Sequence, residues 1–233
     1  MYQYMLIEGV HVKSSGTTGP QKHIFRTPEN LKECNKIAIE CQQITKKSKI
    51  YTVCKMEHAG GLLAQTLPAF SIGAEVTVED FNAYKFVKKI NKYTHTHLAP
   101  GHAKAIIKVK GFKNLNLKGI WVTCGSDPVE WYIIESFVKQ GATFMANWGM
   151  SEIGPMTINK IFYDLDQIEE VKRKETILGD TYYCDWKIEN NELFVKGDTC
   201  IYDDWFNTQD IIKLSEGTPY VIYYVGRKQD KID

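Results

Sequence analysis

The sequence predicts an α/β fold, in which a parallel sheet flanked by helices is followed by a smaller β-rich subdomain. From about Ile50 to Asn147, short apolar runs alternate with longer segments of helical period, as expected for repeated strand–helix units on a parallel sheet. Beyond about Ile161 the segments become alternating and aromatic and are separated by turn residues, which indicates an antiparallel sheet or a small barrel. We therefore expect an α/β part over residues 1–160 and a β-rich part over residues 161–233.

The individual elements follow from these runs in chain order. The predicted strands of the first part are KIYTVC, AEVTV, THTHLA, LKGIWVTC and ATFMANW. The predicted helices between them are GGLLAQTLPAFSIG, NAYKFVKKINKY, GHAKAIIKVKG and PVEWYIIESFVKQG. Gly73 should end the first helix, and Pro128 suits the first turn of the last one because no amide partner is needed there. In the second part, TYYCDWKI, NELFVKG and PYVIYYVG favour antiparallel strands.

The composition argues against several classes of protein. With 29 Lys+Arg against 28 Asp+Glu, no charge excess suggests a nucleic acid or an anionic membrane as the main partner. No apolar stretch approaches the roughly 20 residues of a membrane helix, and Glu8 interrupts the short apolar run at the N-terminus, which argues against a secretory signal. Six scattered cysteines without a CxxC pair favour a reducing, cytoplasmic location over a zinc ribbon or a disulfide scaffold.

Three histidines deserve consideration as metal ligands. His95 and His97 stand two positions apart on a predicted strand and so point to one face, with His102 close behind. The segment THTHLAP contains no carboxylate or cysteine that could complete a site. We therefore expect structural histidines here rather than a metal centre.

The segment from Ser14 to Lys22, SSGTTGPQK, has the composition of an anion-binding loop. Its glycines allow backbone N–H groups to point at an oxyanion, its hydroxyls donate hydrogen bonds, and Lys22 adds a positive charge. A plain Ser/Gly/Thr linker has a similar composition. The segment is not a Walker A loop, which would need glycine at Gln21 and a hydroxyl at His23.

Six stretches of the sequence resemble, in order, the motifs of the adenylate-forming superfamily, which includes acyl-CoA synthetases, luciferases and the adenylation domains of peptide synthetases. SSGTTGPQK resembles its phosphate-binding signature, HAGGL the border of its acyl pocket, and CGSDP its loop beside adenine. NWGMSE resembles the aromatic-Gly-x-Thr-Glu motif, and WFNTQD with GRKQDKI resembles the ribose-binding and hinge motifs. The resemblance covers nearly the whole chain.

The resemblance implies roles for individual residues. Those implied to bind ATP or AMP are Ser14, Ser15, Gly16, Thr17, Thr18, Gly19, Lys22, Gly125, Ser126, Asn147, Trp148, Gly149, Ser151, Asp210 and Arg227. Those implied to be catalytic are Lys22, Ser151, Glu152 and Arg227, with Glu152 also the metal ligand. The acyl pocket would include His58, Gly60 and Gly61, and Asp230 would be the hinge residue.

The chemistry of these side chains agrees with the implied roles. Glu152 follows a predicted strand of the parallel sheet, where ligands collect, and its carboxylate could hold Mg²⁺. Asp210 has two oxygens that match a ribose diol, although a turn-forming Asp is the alternative. Trp148 replaces the family's usual Tyr and could still stack on adenine. For His58, a structural role is as good an expectation as a functional one.

Some positions depart from the family pattern. Pro20 and Gln21 invert the usual order before Lys22, and Gln209 stands where the ribose motif normally has glycine. The family also carries a long portion before the phosphate loop and a mobile domain after the hinge, so we expect a core truncated at the N-terminus and lacking the C-terminal domain. Such a core could expose apolar surface, and we expect a homo-oligomer or docking with another chain.

The resemblance implies ATP-dependent activation of a small carboxylic acid with Mg²⁺, and possible transfer of the acyl group to coenzyme A or another thiol. Two alternatives remain open at this point. The chain could be a nucleotide-binding relic or interaction module without catalysis of its own, or a simple ATPase. The acyl substrate cannot be predicted from these motifs.

Overall fold

The structure is a computed structural model, and it describes residues 1–14 and 22–228. Its α-helices are α1 Tyr2–Glu8, α2 Pro28–Cys41, α3 Ala59–Gly61, α4 Leu67–Ser71, α5 Ala83–Lys89, α6 Pro100–Ile107, α7 Trp131–Lys139 and α8 Asp166–Val171. A π-helical stretch, Leu62–Thr66, joins α3 to α4, and 3-10 turns cover Ile90–Lys92 and Lys110–Asn114. The strands are β1 Val10–Lys13, β2 His23–Arg26, β3 Lys49–Thr52, β4 Glu75–Val78, β5 His95–Leu98, β6 Trp121–Cys124, β7 Thr143–Met150, β8 Gly154–Phe162, β9 Thr176–Gly179, β10 Thr181–Tyr182, β11 Asp185–Glu189, β12 Glu192–Lys196, β13 Phe206–Leu214 and β14 Ile222–Arg227.

The central sheet confirms the predicted α/β class. Its strand order is β10-β8-β7-β6-β5-β3-β4, and the five strands from β4 to β7 in that order run parallel. β8 and β10 complete the sheet in antiparallel orientation. All five predicted strands of the first part are present, and the helices between them lie where the periodicity predicts.

Helices cover both faces of this sheet. Alternate side chains of each strand point to opposite faces, so they are buried against helices on opposite sides. Val122 of β6 belongs to a cluster with Phe86 of α5, Ile106 of α6 and Phe137 of α7. The neighbouring residue, Trp121, instead packs with residues of α2 and of the π-helical stretch. The parallel strands are therefore buried on both sides.

The second sheet is antiparallel, with the order β11-β12-β13-β14-β9, as the alternating aromatic segments predict. It shares a core with the end of the first sheet, since Trp148 and Ile158 pack with Leu178, Leu193 and Ile222. This packing sets the small sheet beside the carboxyl ends of the parallel strands.

Two local features differ from the sequence prediction. α7 begins at Trp131 with Glu130 as its N-cap, so Pro128 lies ahead of the helix instead of in its first turn. Residues 28–41, for which no element was predicted, form α2. Thr27 caps this helix by accepting the Asn30 N–H at 3.2 Å, and Pro28 occupies its first turn. The predicted glycine stop is confirmed, because Gly73 has φ 78° just after α4.

No helix within the described ranges is long and apolar enough to be a membrane span.

Candidate active site

A cleft of about 980 Å³ opens where β3, β5, β6 and β7 end. In a parallel sheet these carboxyl ends are the usual place for a ligand. The predicted site residues that line the cleft are Ser14, Lys22, His58, Gly60, Gly61, Ser126, Asn147, Trp148, Gly149, Ser151, Glu152, Asp210 and Arg227. Each of the six motifs therefore contributes at least one described residue to one cavity. Ser15, Gly16, Thr17, Thr18, Gly19 and Asp230 lie outside the described residues.

Two of the predicted glycines are explained by contacts inside the protein. A Cβ on Gly125 would lie 2.4 Å from the Asn147 carbonyl oxygen, and one on Gly149 would lie 2.3 Å from the Gly154 carbonyl oxygen. Both distances are far inside van der Waals contact, so only glycine fits without a backbone shift. Gly125 thus lets the loop after β6 approach β7, and Gly149 lets β7 approach the start of β8.

The two ends of the phosphate-loop segment are held together beside Glu152. The Ser14 N–H donates to the Lys22 carbonyl oxygen at 2.9 Å, and the Lys22 N–H donates to Ser14 Oγ at 2.9 Å. Lys22 Nζ lies 3.9 Å from Glu152 Oε1, with the lysine largely exposed and the glutamate side chain 14% exposed. A cation and a carboxylate therefore lie side by side in the lining of the cleft.

Arg26 is a buried cation behind this pair that the sequence analysis did not identify. Its guanidinium donates to the Ser151 and Thr199 carbonyl oxygens, each at 2.5 Å, and to Asn30 Oδ1 at 2.6 Å. Burial lowers the pKa of Arg26, while nearby Glu152 acts in the opposite direction. Arg26 thus joins β2 to the backbone just before Glu152. The alternation of HIFR could have found it, because Arg26 shares a face with buried Ile24.

The hydroxyl of Ser151 and the ring of His58 both contact the end of β1. Ser151 Oγ donates to the Lys13 carbonyl oxygen at 3.4 Å, and His58 Nδ1 lies 3.1 Å from the same oxygen. His58 is also the N-cap residue of α3. These contacts give His58 a structural role while it lines the cleft.

Asp210 is the centre of a second polar cluster in the cleft. It is 2% exposed, accepts the Trp148 Nε1–H on Oδ2 at 2.9 Å, and accepts the Arg227 Nε–H on Oδ1 at 2.8 Å. A carboxylate has about four acceptor positions, so a side chain of this type can accept several donors at once. The indole of Trp148 is therefore held by its edge to the residue predicted to bind ribose.

The residue before Asp210 has a left-handed backbone conformation although it is not a glycine. Gln209 has φ 61°, in the left-handed region that costs a residue with a Cβ about 1–2 kcal/mol. Asn207 Oδ1 accepts the Gln209 N–H at 2.7 Å, which helps to hold this conformation. Gln209 therefore adopts, next to Asp210, a conformation that usually favours glycine.

The opposite end of the cleft contains a group of neutral polar side chains, Cys54, His97 and His102. Cys54 Sγ lies 3.6 Å from His97 Nδ1 and 3.5 Å from His102 Nδ1. Burial lowers the pKa of His97 to about 4, lowers that of His102, and raises the pKa of the Cys54 thiol to about 11. All three side chains are therefore uncharged near neutral pH.

His95 does not join this group. Its Nε2 lies 2.9 Å from the Gln42 carbonyl oxygen and its Nδ1 lies 2.8 Å from Thr94 Oγ1. Within residues 1–14 and 22–228, no three His, Cys, Asp or Glu side chains are arranged as metal ligands.

The model of the AMP-binding enzyme family matches residues 14–199, which is more than half of the chain. The chain belongs to the AMP-binding enzyme family. The match begins at the phosphate-loop segment and runs through Glu152 to the contacts of Arg26 at Thr199. It agrees with the superfamily resemblance of the motifs and with the observed fold.

Individual members of the family resemble this chain over part of their length. Indoleacetate–CoA ligase of Aromatoleum aromaticum is 26% identical over 147 residues, covering 61% of this chain and 29% of that protein. O-succinylbenzoate coenzyme A synthetase (MenE) of Bacillus subtilis, solved with ATP and a magnesium ion, has a TM-score of 0.79 at 19% identity, covering 95% of this chain and 50% of that chain. ATP-bound MatB of Rhodopseudomonas palustris has a TM-score of 0.75 at 16% identity, covering 93% and 47%.

These likenesses to solved structures show the fold. The chain spans 29% of the curated relative and about half of the solved chains that it matches.

Proposed function

We propose that this chain activates a small carboxylic acid by forming an acyl-adenylate from ATP. The observation that carries the proposal is the convergence of Lys22, Glu152 and the Asp210–Arg227 pair on one cleft of a family member. Lys22 and Arg227 would neutralise phosphate charge, and Asp210 would accept the ribose hydroxyls. Family membership, not fold alone, supports the reaction class.

The residues present fit a magnesium ion bound together with ATP. Magnesium in nucleotide sites is commonly held by one or two carboxylates together with phosphate oxygens, and Glu152 supplies a partly exposed carboxylate beside the Lys22 ammonium. When bound, the ion would withdraw charge from the phosphate oxygens. The backbone around Glu152 is held by Arg26 and by the Ile201 N–H, which donates to the Glu152 carbonyl oxygen at 3.0 Å.

In the reaction, a carboxylate oxygen of the acid forms a bond to the α-phosphorus while the bond to the pyrophosphate oxygen breaks. Pyrophosphate leaves, and the acyl group remains joined to AMP as a mixed anhydride. Catalysis of this step depends on positioning and on stabilising charge that develops at the phosphate. Ser151 would contact the α-phosphate, and Trp148 would stack on adenine. His58, Gly60 and Gly61 would border the acid.

A later attack by coenzyme A or another thiol on the mixed anhydride would release AMP. We propose this second step as well. We also propose a cytoplasmic location and the self-association that is expected from the sequence.

The test is carboxylate-dependent exchange of labelled pyrophosphate into ATP. We expect exchange that requires an acid and Mg²⁺, because the adenylation step is reversible. Lys22→Met should lower it strongly, whereas Lys46→Met, which removes an exposed lysine outside the cleft, should not. ATP binding without exchange over a broad acid panel would instead indicate a binding module, and acid-independent phosphate release would indicate an ATPase.

A further inference from the structure

The end of the cleft that contains Cys54, His97 and His102 indicates which kind of acid binds there, provided that the proposed function holds. His97 and His102 both line the cleft together with Cys54. A Cβ added to Gly60 would lie 2.9 Å from His97 Cε1 and 3.0 Å from Ser126 Oγ. The imidazole of His97 therefore forms the wall next to Gly60, a residue already expected to border the acyl group.

The hydrogen bonds of Cys54 assign the tautomers of the two imidazoles. The thiol has one proton, and the His97 carbonyl oxygen accepts it at 3.4 Å. The sulfur is then left as an acceptor for both Nδ1 atoms, so each ring carries its proton on Nδ1. Each Nε2 is consequently a bare acceptor.

These two Nε2 atoms are available to a bound molecule. Neither has a hydrogen-bond partner among the described residues, and their Nδ1 edges are turned towards Cys54. His97 is only 4% exposed, so a molecule in the cleft would meet it with little competing water. The plane of His102 is fixed by Phe81, which stacks on it with ring centroids 4.1 Å apart.

We propose that His97 and His102 select a carboxylic acid that carries a hydroxyl group. This hydroxyl lies at the end of the acid remote from the reacting carboxylate, and it donates a hydrogen bond to Nε2 of one of the two imidazoles. A neutral acceptor favours a donor and disfavours a second carboxylate. An acceptor that a bound molecule covers without bonding it loses its contact with water, so the site also rejects an analogue that lacks the donor. The substrate class is thus hydroxylated monocarboxylic acids.

The test compares hydroxybenzoates and hydroxyphenylacetates with benzoate and phenylacetate in pyrophosphate exchange. We expect a preference of about tenfold in kcat/KM for one hydroxylated member over its parent acid, the size of one hydrogen bond. His97→Phe and His102→Phe keep a flat ring but remove the acceptor, and because a hydroxyl has one proton to donate, the variant that removes the acceptor of that proton should bring this ratio towards one. Turnover of the parent acid should change less.

His95→Phe is the matched control, since it removes a buried imidazole from the same strand outside the cleft. It should keep the preference for the hydroxylated acid. A wild-type protein without any preference, or a preference that survives both cleft variants, would overturn the inference.

A binding measurement separates this inference from the proposed function. With AMP bound, the hydroxylated acid should shift the Nε2 resonances of His97 and His102 in a nitrogen–proton spectrum, and the parent acid should shift them less. If no acid supports exchange, the proposed function fails, and the spectrum alone decides the inference. Unshifted resonances with a bound hydroxylated acid would contradict it.

Discussion

The two ends of the cleft handle charge in opposite ways. At one end, Lys22 faces Glu152 and Arg227 is bonded to Asp210, so each charge has a partner of opposite sign. At the other end, burial lowers the pKa of His97 to about 4 and raises that of Cys54 to about 11, so these two side chains are uncharged near neutral pH. Paired charges suit a polyanionic nucleotide and its metal, whereas neutral acceptors suit a partner that is recognised by a hydrogen bond.

This difference predicts two scales of mutational effect. Removing a charge at the first end leaves its partner uncompensated and changes how strongly a developing phosphate charge is stabilised. Removing an acceptor at the second end costs about one neutral hydrogen bond, roughly 1 kcal/mol. Variants of the first end should therefore affect every acid alike, and those of the second end should affect selectivity.

Glu152→Gln should have the largest effect on activity. The amide keeps the size of the side chain but removes the negative charge that would hold Mg²⁺ and that faces Lys22 at 3.9 Å. We expect pyrophosphate exchange to fall by roughly 100- to 1,000-fold for every acid, comparable to the loss of one strong electrostatic contact in other enzymes. The measurement is exchange at saturating acid over a range of Mg²⁺ concentrations.

Glu216→Gln is the control for this change, because Glu216 is an exposed glutamate outside the cleft. It should leave exchange unchanged. Wild-type activity in Glu152→Gln would mean that the charged end does not hold the metal, and the contrast between the two ends would lose its basis.

Arg26→Lys should have an intermediate effect. Lysine keeps the charge but loses the planar group that donates to both the Ser151 and Thr199 carbonyl oxygens. We expect the free energy of unfolding to fall by about 1–3 kcal/mol, since a buried carbonyl loses its donor. We also expect KM for ATP to rise while KM for the acid stays constant, because Arg26 joins β2, next to Lys22, to the backbone before Glu152.

The separation of the two KM values tests whether Arg26 positions the nucleotide end. Arg173→Lys serves as the control, because Arg173 is exposed and donates to the carbonyl oxygens of Glu170 and Lys172. If both KM values rise together in Arg26→Lys, its role is general stability of the fold.

Sequence periodicity was sufficient for the parallel sheet and the small antiparallel sheet, because burial on one or both faces leaves a direct pattern in the chain. It gave no helix for residues 28–41, although Thr27, Pro28 and Glu29 form a helix-start signature in retrospect. The division into residues 1–160 and 161–233 stays a prediction. β8, Gly154–Phe162, which pairs with β7, contains both residue 160 and residue 161, so one strand spans the predicted boundary.

For the site, motif order predicted which segments converge, but not how their side chains contact one another. Cys54 is separated from His97 by 43 positions and from His102 by 48, so no local spacing could reveal that they meet. The same holds for Trp148 and Asp210, which are 62 positions apart and bonded through the indole N–H. Such contacts depend on strand order and on how the small sheet packs.

Trp148→Phe tests that last contact and should have the smallest effect. Phenylalanine keeps an aromatic face for adenine but removes the donor to Asp210 Oδ2, while Arg227 still donates to Oδ1. We expect the dissociation constant for AMP to rise by about tenfold, equivalent to about 1.4 kcal/mol, because the carboxylate is less firmly oriented towards ribose. Trp186→Phe, outside the cleft, should leave it unchanged.

The ribose hydroxyls provide the decisive comparison for this variant. If Trp148 acts by orienting Asp210, its loss should matter less for 2′-deoxy-AMP, which has one hydroxyl fewer for the carboxylate to accept, than for AMP. A penalty of equal size for both nucleotides would show that the indole N–H acts on the base or on packing. In that case the ordering of the charged end would rest on the Arg227–Asp210 pair, because Arg227 would then be the side chain that holds the carboxylate towards the cleft.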